Sequence, residues 1–234
     1  MSKFELTIHV DEYRSDLDPF EEYDPLFTMH SFSNRFNHFT DPDEFKCAKC
    51  GHWSIDHTGD PEDEDFAGIC QTFTMPEGFY LSYYEHGLSS WSVQGTVHYP
   101  DMQWDGVHTA GFLEVTVDDD ERKWWDERSD EDKLKAAQSM MEEYTNWING
   151  EVYGYVLESI REETCNLGKV HKYPGETVED SCWGFIGSKY FAESVREVTE
   201  SYGATPDNTT VIDKAYGSAD YMDLFATDTD EGTN

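Results

Sequence analysis

Four residues between positions 47 and 70 carry the most specific chemical pattern in the chain. Cys47, Cys50, His57 and Cys70 are spaced Cys-x2-Cys-x6-His-x12-Cys, and Gly51 relieves the tight turn that aims the first two thiolates at one ion. Soft sulfur with a borderline imidazole nitrogen selects zinc over Mg²⁺ or Ca²⁺, which take oxygen shells. Three thiolates and one imidazole complete a tetrahedron and leave no position for water. The expected role is therefore structural: a zinc ion that staples residues 41–75, too polar to fold alone, and contributes on the order of 10 kcal/mol to that local fold. His57 gives the more usual loop length, while His52 would have to fold back sharply, and the spacing leaves the choice open. A redox role for Cys-x-x-Cys is disfavoured, because neither a strand before it nor an amphipathic helix after it is evident. Of the other cysteines, Cys182 is expected as a buried strand thiol and Cys165 as a free thiol in a polar loop.

A second candidate set is His86, Asp105 and His108, near predicted strand ends, with Glu114 or Asp118 as further carboxylates. Gathered on neighbouring strands they would suit a metal-dependent hydrolase or nuclease. In so acidic a chain the same residues arise readily as exposed or hydrogen-bonded side chains, and that simpler explanation outweighs catalysis. The chain has no Gly-x-Gly-x-x-Gly, Walker A loop, Gly-x-Ser-x-Gly elbow or His-Glu-x-x-His. The expectation is a protein that is not an enzyme.

The acid runs dominate the rest. Asp118, Asp119, Asp120 and Glu121, then Asp126 and Glu127, then Asp130, Glu131 and Asp132 surround Trp124 and Trp125. Carboxylates in rows on a rigid element can copy the spacing of duplex phosphates and occupy the cationic cleft of a nucleic-acid enzyme, with an exposed Trp124 or Trp125 as apolar anchor. A second explanation stands beside DNA mimicry: a salt-rich host acidifies all its proteins. The 234 residues hold 50 Asp and Glu against 16 Lys and Arg, a formal charge of −34. So negative a surface repels phosphate backbones, which excludes direct nucleic-acid binding. Yet 14 Tyr, 14 Phe and 7 Trp supply more apolar area than a solvated acidic chain would contain, so a folded core is expected. No long apolar run and no signal-peptide core is present, which points away from membranes and towards the cytoplasm.

The elements that must position these groups are partly legible. Phe4 to Val10 alternates with a strand period. Phe27, Phe32, Phe36 and Phe39 recur at spacings of a short helix or an ordered loop. Phe79–Tyr84, Trp91–Tyr99 and Ala110–Val117 are predicted strands that suit a meander, the first two joined at Gly87. Ser129 precedes an acidic first turn and an apolar stripe of Leu134, Ala137, Met141, Tyr144 and Ile148, ending at Gly150, which predicts a capped helix over about 130–149. Val152–Leu157 and Ser181–Ile186 are predicted strands, and Ser188 a cap for a helix over about 189–201. From Pro206 the chain is polar and acidic, predicting a flexible or peripherally docked end.

Three stretches stand out: the opening strand with Asp11, the segment from Pro25 to Met29 and the pair Arg35-Phe36; then Leu81 to Gly87 with Trp104-Asp105-Gly106 and Gly111-Phe112; and, most specifically, Gly150 to Val156 with Asp180 to Gly187. Together they resemble an uncharacterised family of small proteins of tailed bacteriophages and related archaeal viruses. After Trp104-Asp105 the family places serine, glycine and glutamine where this chain has Gly106, Val107 and His108. The resemblance implies a viral accessory protein in the host cytoplasm and carries no reaction with it.

Strands clustered ahead of the main helix give an α+β class, a mainly antiparallel sheet with two packed helices and a zinc-stapled module. The expected organisation is an N-terminal strand and aromatic segment (1–40), the Cys/His module (41–75), an α+β core (76–203) and an acidic flexible tail (204–234). The expected function is non-enzymatic: an acidic viral accessory or anti-defence protein that engages a host protein with a cationic surface, such as a nucleic-acid enzyme or defence complex. The alternatives are the hydrolase above and a structural or virion-associated protein of a halophilic virus.

Overall fold

The computed structural model describes residues 3–21, 26–41, 76–99, 101–173 and 178–215. In chain order these form β1 (Lys3–Val10), a 3₁₀ turn (Arg14–Asp16), β2 (Phe27–Ser31), β3 (Gly78–His86), β4 (Leu88–Val93), α1 (Met102–Asp105) and β5 (Gly106–Val115). There follow α2 (Asp119–Asp126), α3 (Asp130–Ile148), β6 (Val152–Thr164), β7 (Val170–Tyr173), β8 (Val178–Ile186), α4 (Ser188–Ser201) and β9 (Thr209–Asp213). The class is α+β with mainly antiparallel sheets. The chain divides into two units, Met1–Asp18 with Asn146–Asn234, and Pro19–Thr145. The Cys47, Cys50, His57 and Cys70 group lies outside the described residues.

In the first unit β1 is central, antiparallel to β6 on one side and parallel to β9 on the other, while β6 also pairs with β8 and, through its far end, with β7. The strand alternation sends Phe4, Leu6 and Ile8 of β1 and Tyr153, Tyr155 and Leu157 of β6 to one face, where Phe191 and Val195 of α4 close the core. α4 begins one residue earlier than its hydroxyl suggests. Ser188 is already helical, and Gly187, at φ 85°, is the N-cap residue and makes no side-chain cap. The expected loose end from Pro206 is corrected in part, since Thr209–Asp213 adds a strand to β1. Its side chains are mostly exposed, so backbone pairing holds it and no alternating apolar pattern marks it in the sequence.

The second unit is a four-stranded sheet ordered β2-β5-β3-β4. The expected meander is corrected: β5 returns to pair with β3, leaving β3 and not β4 in the interior. β4 stops at Val93, where the Thr96 hydroxyl donates to the Val93 carbonyl (2.6 Å) and Gly95 takes φ 81°. The aromatic run is corrected only at its start, and its ordered-loop alternative holds at Phe36. Phe27 begins strand β2, and Phe36 follows in a loop whose ring packs edge-on against Trp91 (5.1 Å) and close to Tyr83 (4.8 Å).

α3 forms where its caps and stripe place it. The Asp132 amide donates to Ser129 Oγ (3.1 Å), Ser129 Oγ donates to Asp132 Oδ2 (2.7 Å), and Gly150 terminates the helix at φ 81°. Ala137, Met141 and Tyr144 are its buried face. Thr145 ties this helix to the sheet edge, accepting from the Trp91 amide (3.0 Å) and donating to the Trp91 carbonyl (3.2 Å).

Candidate functional site

All nine carboxylates from Asp118 to Asp132 are exposed; seven decorate two consecutive helix starts, while Asp126 and Glu127 close the C-terminal end of α2. Asp118 is the N-cap of α2, its Oδ1 accepting from the Glu121 amide at 2.8 Å, and Asp119, Asp120 and Glu121 fill the first turn. Asp130, Glu131 and Asp132 do the same for α3. Both clusters therefore sit where the helix dipole favours negative charge, so part of their cost is offset locally. Neutralisation within the segment is incomplete. Arg122 reaches Asp126 (3.1 Å), Lys123 approaches Glu127 (3.9 Å) and Lys135 meets Glu131 (2.8 Å), whereas Asp119, Asp120, Glu121 and Asp130 make no ion pair among the described residues.

The segment is anchored from beneath by Glu77, a residue the sequence did not single out. Its Oε1 accepts from Trp125 Nε1 (2.9 Å) and Lys133 Nζ (3.3 Å), and its Oε2 from Arg122 Nη2. Burial alone would raise this carboxyl. The hydrogen bonds from Trp125, Arg122 and Lys133 outweigh burial and hold it below the ordinary value. Trp125 is wholly buried and meets Phe27 edge-on at 5.5 Å, so it is a core residue and the expectation of an exposed anchor at that position is corrected. Trp124 remains 45 % exposed, with the Arg128 guanidinium 3.8 Å above its ring. Adjacent helical residues point about 100° apart, so one tryptophan of such a pair faces in and the other out.

Of the second candidate set, His86 and Asp105 come together: His86 Nδ1 lies 2.9 Å from Asp105 Oδ2. The Asp105 hydrogen bond and charge raise the His86 pKa above the ordinary imidazole value. His108 does not join them in a three-ligand cluster; its side chain is exposed, and its carbonyl accepts from Ser82 Oγ at 2.8 Å. Glu114 instead lies 2.9 Å from His30 Nε2, and Asp118 caps α2. Asp105 lines an open cleft of about 550 Å³ with Arg35, Glu85, Trp91 and Trp104. Glu85 accepts from Arg35 Nη2 at 2.9 Å, so both carboxylates of this cleft already face a base.

A pair able to take part in holding a metal ion is present elsewhere. Glu21 and His38 bring a carboxylate oxygen and a ring nitrogen within 4.8 Å of each other. Asp18, buried and three residues earlier, supplies another carboxylate in the same stretch of chain. The sequence singled out none of the three. Cys182 is corrected: it is exposed, not buried.

No helix among the described residues is long and apolar enough to cross a membrane. No family model matches the chain, and no curated protein or solved structure is similar to it.

Proposed function

We propose that the protein is a non-enzymatic acidic viral accessory protein that acts in the host cytoplasm by binding a host protein with a cationic surface, a nucleic-acid enzyme or defence complex, through DNA mimicry. The observation that carries this is the exposed carboxylate segment Asp118–Asp132, nine acids against Arg122, Lys123 and Arg128, held by the buried Trp125, whose indole N–H donates to Glu77. An array fixed on two capped helices loses little side-chain and backbone freedom on binding, which favours affinity. Long-range attraction to a cationic cleft speeds encounter and fades as salt shortens the Debye length to about 3 Å at 1 M. Capture from host lysate on the immobilised full chain is expected to recover cationic nucleic-acid enzymes in dilute salt and to release them as KCl rises. Capture unaffected by KCl contradicts the proposal.

A second reading, salt adaptation of a virion-associated or structural protein, is favoured by a different observation. Glu193, Glu197 and Glu200 on α4, with Asp207 and Asp213, are exposed carboxylates of the other unit. Far-UV circular dichroism in about 50 mM and about 2 M KCl separates the two. A mimic keeps its spectrum in both, while a salt-adapted chain loses structure in the dilute buffer.

The metal reading has its own test. Cys47, Cys50, His57 and Cys70 carry the ligand chemistry for one structural zinc ion. One zinc per chain is expected by plasma mass spectrometry after purification without chelator, and none overturns the assignment.

A further inference from the structure

The motifs that resemble the viral family most closely, Tyr-Gly-Tyr and Asp-Ser-Cys-Trp-Gly-Phe, meet at one place that the acidic segment does not use. His9 of β1 is opposite Gly154 of β6, and β8 bulges against β6 where Trp183 and Gly184 stand between the pairs Tyr153–Phe185 and Tyr155–Cys182. Gly184 adopts φ 83°, as a glycine at such a bulge does. Gly154 has no side chain, and a Cβ there would lie 2.2 Å from Trp183 Cε3. The indole therefore packs onto the strand itself and reaches across it, bringing the His9 and Trp183 rings to 5.3 Å between centroids. All this happens on the sheet face that α4 leaves uncovered, since Ile8, Tyr153 and Tyr155 take the other face.

The result is a cleft of about 480 Å³, within the usual range for a small-ligand site, lined by His9, Leu17 and Trp183 together with Tyr13 and the acids Asp11, Glu12 and Asp16. Two aromatic walls stay open to solvent, Tyr13 at 77 % and Trp183 at 45 % exposure. The acids are arranged asymmetrically. Asp11 is 5 % exposed, and its Oδ1 is occupied by the Tyr13 amide at 2.9 Å, an Asx turn that fixes the tyrosine at the cleft mouth. Its other oxygen has no hydrogen-bond partner among the described residues. Burial, then the charge of Lys214, hold the His9 pKa below the ordinary imidazole value. Among the described side chains that line this cleft, no lysine or arginine balances the three carboxylates, in contrast to the cleft of the other unit, which Arg35 lines.

We infer that this cleft of the first unit binds an organic cation, an ammonium or guanidinium group on an apolar stem, with the cation against the Tyr13 and Trp183 rings and the carboxylates of Asp11, Glu12 and Asp16. Aromatic faces attract a cation through their quadrupole, and the nearly buried Asp11 gives that attraction a fixed point. The site extends the chemistry of a cationic partner to a second surface without depending on the acidic segment.

The test follows the Trp183 indole N–H resonance of the ¹⁵N-labelled full chain at about 150 mM KCl, where free charges are screened beyond about 8 Å. Three probes are titrated: acetyl-arginine-methylamide, choline, and the neutral isostere acetyl-citrulline-methylamide. A saturable shift is expected with the cations, about tenfold weaker with citrulline, and weakened about threefold or more by Tyr13→Ser or by Glu12→Gln with Asp16→Asn. Tighter binding of the arginine probe identifies a protein side chain as the natural source, tighter choline binding a free amine, and both support the site. Equal affinity for citrulline, or unsaturable shifts shared by every indole, overturns it. A variant with Asp119, Asp120, Glu121 and Asp130 as amides is expected to bind these probes unchanged, which separates failure here from failure of the proposed function.

Discussion

Glu77 shows how much one side chain organises. It joins the strand side of the second unit to α2 and α3 through Trp125, Arg122 and Lys133. Glu77→Ala leaves the buried Trp125 indole N–H unpaired and is expected to cost about 1–3 kcal/mol in chemical denaturation. Because its folded pKa is depressed, its contribution is complete above its ordinary 4.5 and fades as pH falls through the lowered value. Acidification also relieves the repulsion among the other carboxylates, which has the opposite sign, so the comparison is made against Glu77→Gln between about pH 3 and pH 6. The wild type should lose stability relative to the variant as pH falls, and parallel curves would refute the role. The neighbouring tryptophans should separate as sharply: about 3–5 kcal/mol lost for Trp125→Ala and about 1 kcal/mol or less for Trp124→Ala, measured by urea midpoint. None of this was readable in the sequence. Trp124 and Trp125 are chemically alike there, and Glu77 is one acid among 50 Asp and Glu.

At the level of elements, the main helix was legible from local signals and strand pairing was not. α3 announced itself through Ser129, its acidic first turn and Gly150, all of which act within a few residues of chain. Ser129→Ala removes the cap at the base of the acid array and is expected to lower the unfolding free energy by about 1 kcal/mol. An unchanged midpoint would mean that the cap contributes nothing. β3 and β5 were visible as strands, but their mutual pairing depends on a return of chain that no local pattern encodes. β9 was invisible because backbone bonds to β1 hold it. The His9, Gly154 and Trp183 row was likewise hidden, since three strands supply one residue each, although the glycine between two tyrosines was the available hint. Gly154→Ala places a methyl group into the indole and is expected to cost about 1–3 kcal/mol, read by denaturation together with displacement of the Trp183 indole resonance.

For the molecule as a whole, the question is whether location or quantity of charge matters. Both units expose carboxylates, so the −34 total by itself selects no partner. The sequence made the acid runs obvious and could not reveal that two helix dipoles and several i,i+4 pairs already account for part of them. What remains for a partner is the unpaired group of Asp119, Asp120, Glu121 and Asp130. Two variants with four amides each carry the same net charge, −34 raised by four to −30. One changes Asp119, Asp120, Glu121 and Asp130; the other changes Glu193, Glu197, Glu200 and Asp207. Capture of cationic host enzymes at about 0.1 M KCl, where the Debye length is about 10 Å, is the deciding measurement. The first variant is expected to lose about tenfold or more in captured enzyme while the second stays close to wild type; equal losses in both would contradict a dedicated binding array.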